Sequence, residues 1–455
     1  MIPALYPVDS GDIITKIREC DQIQQMEKAA RFVAILSGAD KIGCLERKFT
    51  DREKFSARQA DMHSMVATGS RAVDQLDFLR GLAITLMVVN HVGTRMAPAD
   101  LQAKGPLAEL IFIGSFAPVV FFFTTGFGIG FAKRHVDVRS LLSVSWKAGL
   151  LLVADQFMFW SAAVPWGLDF LGFIAISSVL VTCIAMSRRP IAYCVAIMLT
   201  VIAVRFGLGA WVSVRFDLPG VVKWLVGARG IAPISYPFSP WIIYPLMGFM
   251  LGRRYISIRA MGASFPRPWL YVATLGALIS AVALHHAHAI FFRWGTMSFA
   301  FFVLSLGVLF LTLIVAWKVP DHSRSARFLS LRGISSLAIV PIHYALIELI
   351  AALGWVVPDP WGTLAAMSFV LPTSIVLARA FANGANSWIS AASPAVPWLV
   401  LTSVIALCAG VCWYPFREAG ARFAAMVVGQ LAIAALLVVR SRKVSLPLVT
   451  NGVLQ

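Results

Sequence analysis

The sequence predicts an all-α, polytopic integral membrane bundle of about 10–12 transmembrane helices. Composition is the first reason. The 455 residues are 59% hydrophobic and 13% charged, whereas a soluble domain carries about a quarter charged residues. Mean hydropathy is +0.78. Recurrence is the second reason: from residue 76 onward, apolar segments of membrane length follow one another. Charge placement is the third. The net charge is +17, but the cations cluster in short loops between apolar spans, as the positive-inside rule requires. That distribution argues for a lipid bilayer as partner and against nucleic acid.

Residues 1–70 read as a polar cytoplasmic leader without a cleavable signal peptide. Within it, 12–36 has the pattern of an amphipathic helix, with Ile13, Ile17, Ile23, Met26 and Phe32 apolar and Gly38 as a stop. A loosely ordered leader, or a start at Met62 or Met65 that leaves it out, are the alternatives. The transmembrane domain is expected over 71–443, followed by a short cytoplasmic tail over 444–455. Spans are expected near 78–97, 107–132, 141–163, 168–187, 190–211, 236–252, 268–289, 297–317, 334–356, 361–382, 397–415 and 421–440. The 236–252 span is short and carries Pro237, Pro240 and Pro245, so it reads as broken or re-entrant. No clear internal repeat is visible.

Loop charge sets the orientation. Lys133, Arg134 and Arg139, then Arg188 and Arg189, then Arg253, Arg254, Arg259 and Arg267, then Lys318, Arg324, Arg327 and Arg332, and finally Arg440, Arg442 and Lys443 all fall on one side of a twelve-span chain. That side is the cytoplasm, both termini lie there, and the plasma (inner) membrane is the expected location. The long outward loop 212–237 carries aromatics such as Trp224 and Tyr236, which read as interface anchors or a sugar platform. The six cysteines form no Cys-x-x-Cys pair, so neither a disulfide framework nor a zinc site is expected. His285, His286 and His288 lack nearby Cys, Asp or Glu and are not read as metal ligands.

Arg80 and His91 carry the chemistry. They lie on the first span, eleven positions apart. On a helix that is about three turns, or about 16 Å, so both project from nearly one face. Lipid penalises such groups unless they have a use. Arginine binds phosphate through a planar fork of charge-assisted hydrogen bonds. An imidazole removes a proton from a hydroxyl or amine, or accepts an acyl group itself. A cation near the inner face and an imidazole toward the outer face would let a cytoplasmic phosphate-bearing donor, such as acyl-coenzyme A, act on an outside acceptor. The bland alternative is a snorkelling arginine and a water-facing histidine.

The run Leu76-Asp77-Phe78-Leu79-Arg80-Gly81 through His91 resembles the first-helix signature of the membrane-bound acyltransferase family 3, with Asp77, Arg80, Gly81 and His91 all in place. A second segment, Pro240-Trp241 leading to Gly248 and Gly252-Arg253, is similar to the heparan-α-glucosaminide N-acetyltransferase catalytic family. A third, Ser335-Ser336-Leu337 with His343, resembles a late helix of both, with Val340 where tyrosine is typical. The mid-chain Trp-Ser-Leu-x-x-Glu segment of family 3 is absent. The resemblance implies transfer of acetyl or succinyl from acyl-coenzyme A, a co-substrate and not a resident cofactor, to a hydroxyl or amine of an extracytoplasmic glycan or glycolipid. It implies Arg80 as donor positioner and His91 as base or relay.

Other polar residues inside spans are weighed in that light. Asp77, Asp155, His343 and Glu348 are candidate supporting groups: Asp155 to orient an imidazole or a cation, His343 near mid-depth of its span as a packing residue or a support of the donor tunnel, and Glu348 as a carboxylate that must pair or be protonated. Lys133, Arg134 and Lys147 are candidate donor-phosphate contacts, or else topology signals. Gly126, Gly128 and Gly130 read as close helix packing, with a narrow acyl channel as the alternative. The rival from another class is a proton-coupled secondary transporter of about twelve spans. Oligomeric state is left open.

Overall fold

The computed structural model describes residues 75–132, 136–161, 168–208, 220–227, 235–260, 268–287, 297–318, 336–354, 359–390 and 419–441, with isolated positions 329, 331, 402, 403 and 406. Among the described residues every regular element is helical. The leader 1–70, the tail 444–455, Lys133, Arg134 and most of the expected 397–415 span lie outside the described residues.

The first helix, α1, is Gln75–Met96. Short α2 (Ala99–Ala103) leads to α3 (Pro106–Gly114) and α4 (Ala117–Ala132). Together α3 and α4 make one span, Pro106–Phe131, broken at Ser115. Pro118 explains the break: it has no N–H, and its ring crowds the carbonyl four residues back, at Gly114. The Ser115 N–H turns instead to the Phe112 carbonyl, 2.9 Å away. Helix α5 is Val138–Ser161 and α6 is Phe170–Ala185. Helix α7, Pro190–Ile202, starts with proline at its first position and runs into a π-helical turn, Ala203–Leu208.

The proline-rich stretch is broken, as expected. Short α8 (Gly220–Val226) and α9 (Phe238–Trp241) precede α10 (Ile243–Ala260). Ser239 is extended (φ −93°, ψ 124°), the conformation that a following proline enforces. Helix α10 continues past the expected end at 252, through Arg253 and Arg254, to Ala260. Then come α11 (Pro268–His286), α12 (Phe299–Lys318), α13 (Ile339–Ala352, entered by a 3-10 turn at Ser336–Ala338), α14 (Pro360–Ser390) and α15 (Ala419–Ser441).

Among the described residues, seven helices are long and apolar enough to cross a membrane, and three shorter apolar helices accompany them: Phe170–Ala185, Ser336–Ala352 and Val427–Val438. The fold is an all-α polytopic membrane bundle. Helix α10 falls outside both groups, because its second half carries paired arginines. Contact register nevertheless shows which way it runs beside α4. Gly126 and Gly130 of α4 meet Pro245 and Phe249 of α10 in the same order, so these helices run parallel. His91 and Arg95 of α1 likewise meet His343 and Glu348 of α13 in the same order.

The α4–α10 contact is backbone on backbone. A Cβ on Gly126 or Gly130 would collide with the carbonyl of Pro245 or Phe249. One on Gly248 or Gly252 would collide with that of Phe123 or Phe127. Each helix thus presents glycines four apart to the other, and without side chains the axes come close enough for dense van der Waals contact. No room is left there for the acyl channel weighed above. Around the seam, Trp241, Phe249, Phe122 and Phe127 are fully buried. By contrast, α11 turns Trp269, Val272, Leu275, Ile279 and Val282 outward, an apolar stripe suited to lipid.

Candidate active site

Helical spacing sets Met87, Asn90, His91 and Thr94 of α1 on one face (i, i+3, i+4, i+7). All four line a cavity of ≈ 260 Å³. Its other walls are the α3–α4 break at Gly114, Ser115 and Pro118; Asp155 and Met158 of α5; the start of α6 from Asp169; Ser235 and Tyr236; and Val340 and Tyr344 of α13. The helix break widens this end of the bundle. Asn90 stitches it to α1, its side-chain amide donating to the Ile111 carbonyl at 3.0 Å and to Ser115 Oγ at 3.2 Å.

His91 and His343 meet directly, Nδ1 to Nε2, at 2.7 Å, with rings stacked at 12° and 5.0 Å between centroids. The hydrogen bonds dictate the tautomers of the neutral pair. His343 Nδ1 lies 2.9 Å from the Ile339 carbonyl. A carbonyl only accepts, so His343 Nδ1 carries the hydrogen and its Nε2 is an acceptor. His91 Nδ1 must then donate to that Nε2, which leaves the lone pair on His91 Nε2. That nitrogen is 3.3 Å from the Tyr344 hydroxyl on the cavity wall. His343 is completely buried and acts on His91 rather than on anything in the cavity. Pro341 fits beside it because the first turn of α13 has no intrahelical partner for its N–H groups.

The opposite wall carries two carboxyl groups. Asp155, 1% exposed, accepts the Asp169 backbone N–H at 2.9 Å, and the amides of Leu171 and Gly172 also point to it. It therefore caps the start of α6 from a neighbouring helix, where orphan N–H groups attract a carboxylate. Gly172 makes room: a Cβ there would lie 2.5 Å from Asp155 Oδ2. The sequence suggested Asp155 as an orienter of an imidazole or cation, and these amides are the partners it has. Asp169 bonds the Ser235 side chain. Trp224 of α8 donates to the Tyr236 carbonyl at 3.1 Å, holding that wall in place.

Arg80 does not line this cavity. Its Nη1 donates to Asp77 Oδ1 at 2.7 Å, one turn away, with both side chains largely buried. Its Nη2 is buried and has no hydrogen-bond partner among the described residues. Gly81 beside it lies against the Leu329 carbonyl, where a Cβ would not fit. Lys147 is half-buried on α5, eight positions before Asp155, and is not on the cavity wall. Glu348 pairs with Arg95 at 3.1 Å at the end of α1, so it ties α1 to α13 and does not touch the histidines. Among the described residues no group of three His, Cys, Asp or Glu could hold a metal ion.

Sequence reading missed Tyr344, Asp169 and Asn90. Asp169 could have been found as an acidic N-cap before an apolar run. Tyr344 follows His343, and three positions place Val340 and His343 on one helix face with Tyr344 beside them.

The heparan-alpha-glucosaminide N-acetyltransferase catalytic family matches the chain over residues 72–267. No curated protein and no solved structure gives a significant match. The matched stretch contains Arg80, His91, Asp155, Asp169 and the α4–α10 seam, while His343 and Tyr344 lie beyond it. Over residues 72–267, then, the chain is similar to the catalytic domain of heparan-alpha-glucosaminide N-acetyltransferase, a transmembrane acyltransferase.

Proposed function

We propose that the protein transfers an acyl group, acetyl or succinyl, from cytoplasmic acyl-coenzyme A to a hydroxyl or amine of an extracytoplasmic glycan or glycolipid. One observation carries this reading: His91 Nε2 holds a lone pair at a polar cavity, in a tautomer imposed through His343 by the Ile339 carbonyl. Such a nitrogen takes the acceptor's proton as its oxygen or nitrogen attacks the thioester carbon. As the carbon–sulfur bond breaks, the same nitrogen returns the proton to sulfur. His343 stabilises the charged imidazolium by accepting its Nδ1–H throughout. Asp155, Asp169 and Ser235 give the facing wall the polarity that a sugar needs.

Donor binding is assigned to Arg80, with its buried, unpartnered Nη2 as the group for a donor oxygen and Asp77 fixing the guanidinium. Lys133, Arg134 and Lys147 are assigned to the donor's phosphates on the cytoplasmic side, with both termini on that side and the inner membrane as location. The coenzyme arm then runs along α1 from Arg80 to His91.

The test uses purified full-length protein in liposomes with radiolabelled acetyl- or succinyl-coenzyme A. Coenzyme release and acceptor labelling are expected, and His91→Ala should abolish both. Unchanged acylation in His91→Ala would remove the assignment. Proton-coupled solute uptake without acyl transfer would support a transporter instead. Single cysteines in place of Thr94 and Val136 should label from opposite sides.

A further inference from the structure

We infer that Tyr344 is a further catalytic residue, whose hydroxyl leaves His91 Nε2 when substrate arrives and donates instead to the oxyanion that forms on the thioester carbonyl. The inference rests on the acyl-transfer reading above and adds to it the group that stabilises its transition state.

Tyr344 is next to the reacting nitrogen and to the cavity at once. Its hydroxyl is 3.3 Å from His91 Nε2, and the residue lines the cavity. An O–H···N contact of that length is weak, so it is readily exchanged for a stronger one. The ring itself is held fast. It stacks on His91 at 4.7 Å and 30°, and its centroid is 4.6 Å from that of His343 at 35°. What remains free is the rotation of the hydroxyl hydrogen about the C–O bond. The phenol can therefore change partner without moving its ring.

The geometry fixes what the new partner must be. The attacking atom has to sit within hydrogen-bond reach of His91 Nε2 to give up its proton. The carbonyl carbon is then about 3–3.5 Å from that atom. The carbonyl oxygen falls in the same small volume that the Tyr344 hydroxyl already borders. When the acceptor attacks, the carbonyl π pair moves onto oxygen, and a donor already held there stabilises that charge without reorganisation. No proton leaves Tyr344. The acceptor's proton still travels through His91 to sulfur, so the balance of the reaction is unchanged. Asn90 spends its amide hydrogens on Ile111 and Ser115, and Asp155 and Asp169 are acceptors engaged with α6 and Ser235.

The test compares wild type, Tyr344→Phe and protein with 3-fluorotyrosine at position 344, all in liposomes. Tyr344→Phe should lower kcat by about 10²-fold, with KM for donor and acceptor within about threefold. The fluorinated residue, a stronger donor of the same shape, should restore wild-type kcat or exceed it. Three results would overturn the inference: unchanged kcat in Tyr344→Phe, a rise in acceptor KM with kcat unchanged, or failure of the fluorinated residue to restore a lost rate. All three are read against an active wild type and an inactive His91→Ala. If that first comparison fails, the acyl-transfer reading itself has fallen and not the role of Tyr344 alone.

Discussion

Two pairs of parallel helices cross inside this bundle, and they are held by opposite means. Along α4 and α10 four glycines, Gly126, Gly130, Gly248 and Gly252, each meet a backbone carbonyl of the other helix. Along α1 and α13 the contact is a pair of stacked imidazoles, a phenol and an ion pair. The first seam tolerates no added volume at its glycines. The second keeps polar groups where lipid and core both disfavour them. The α4–α10 seam shows that packing alone can join two helices in this protein. The histidines of the other seam are therefore not needed to make the helices stick, and their presence calls for a chemical explanation.

Removing the base gives the largest expected contrast. His91→Ala should lower acyl transfer by about 10³-fold or more, measured as coenzyme release at saturating donor. The melting temperature in detergent should stay close to wild type, because His91 is only partly buried and the glycine seam is untouched. His343→Ala comes next, at about 10²-fold. It leaves His91 Nδ1 without its acceptor, so the tautomer is no longer imposed. His343→Gln should recover part of the loss, since a side-chain carbonyl oxygen can accept the same hydrogen. If His343 were a packing residue alone, glutamine and alanine would behave alike.

The other seam should respond in stability and not in chemistry. Gly248→Leu forces a side chain into the Phe123 carbonyl, and overpacking of this kind costs about 1–3 kcal/mol. Melting temperature and yield should fall, while turnover per folded molecule should hold. Gly276 on α11 is the control: a Cβ there meets nothing, and Gly276→Ala should be neutral or stabilising by up to ~1 kcal/mol.

How much of this was legible in the chain follows from which signals are local. Span positions come from runs of apolar residues, and most of them hold. Helical period is also local: it places Asp77 one turn from Arg80 and Asn90 and Thr94 beside His91, although Asn90 went unread. The break at Ser239 is visible as prolines. What could not be read is which helices touch. His343 was singled out for its depth in a span, but its contact with His91 bridges 252 positions. Asp155 looked like a partner for a cation, because nothing in the sequence says that the start of α6 lies beneath it. Glu348 demanded a partner on energetic grounds, and the sequence had no means of naming Arg95.

That last pair should show the smallest effect, and the reason bears on the comparison of seams. Arg95 is 60% exposed and Glu348 23%. Exposed ion pairs are worth about 0–1 kcal/mol, because water screens them and two long side chains must be ordered. Arg95→Ala should therefore shift the melting temperature by no more than a few degrees and leave kcat within about twofold. Measured beside Gly248→Leu and His343→Ala, it asks whether the α1–α13 seam is held mainly by this pair or by its rings. If Arg95→Ala destabilised the protein as much as Gly248→Leu, the ion pair would be the fastener of that seam. The stacked imidazoles would then be passengers in the packing, free to serve chemistry only because something else holds the helices together. If Arg95→Ala is mild, the ion pair is no fastener, and the imidazoles and the phenol keep the geometry for proton transfer without it.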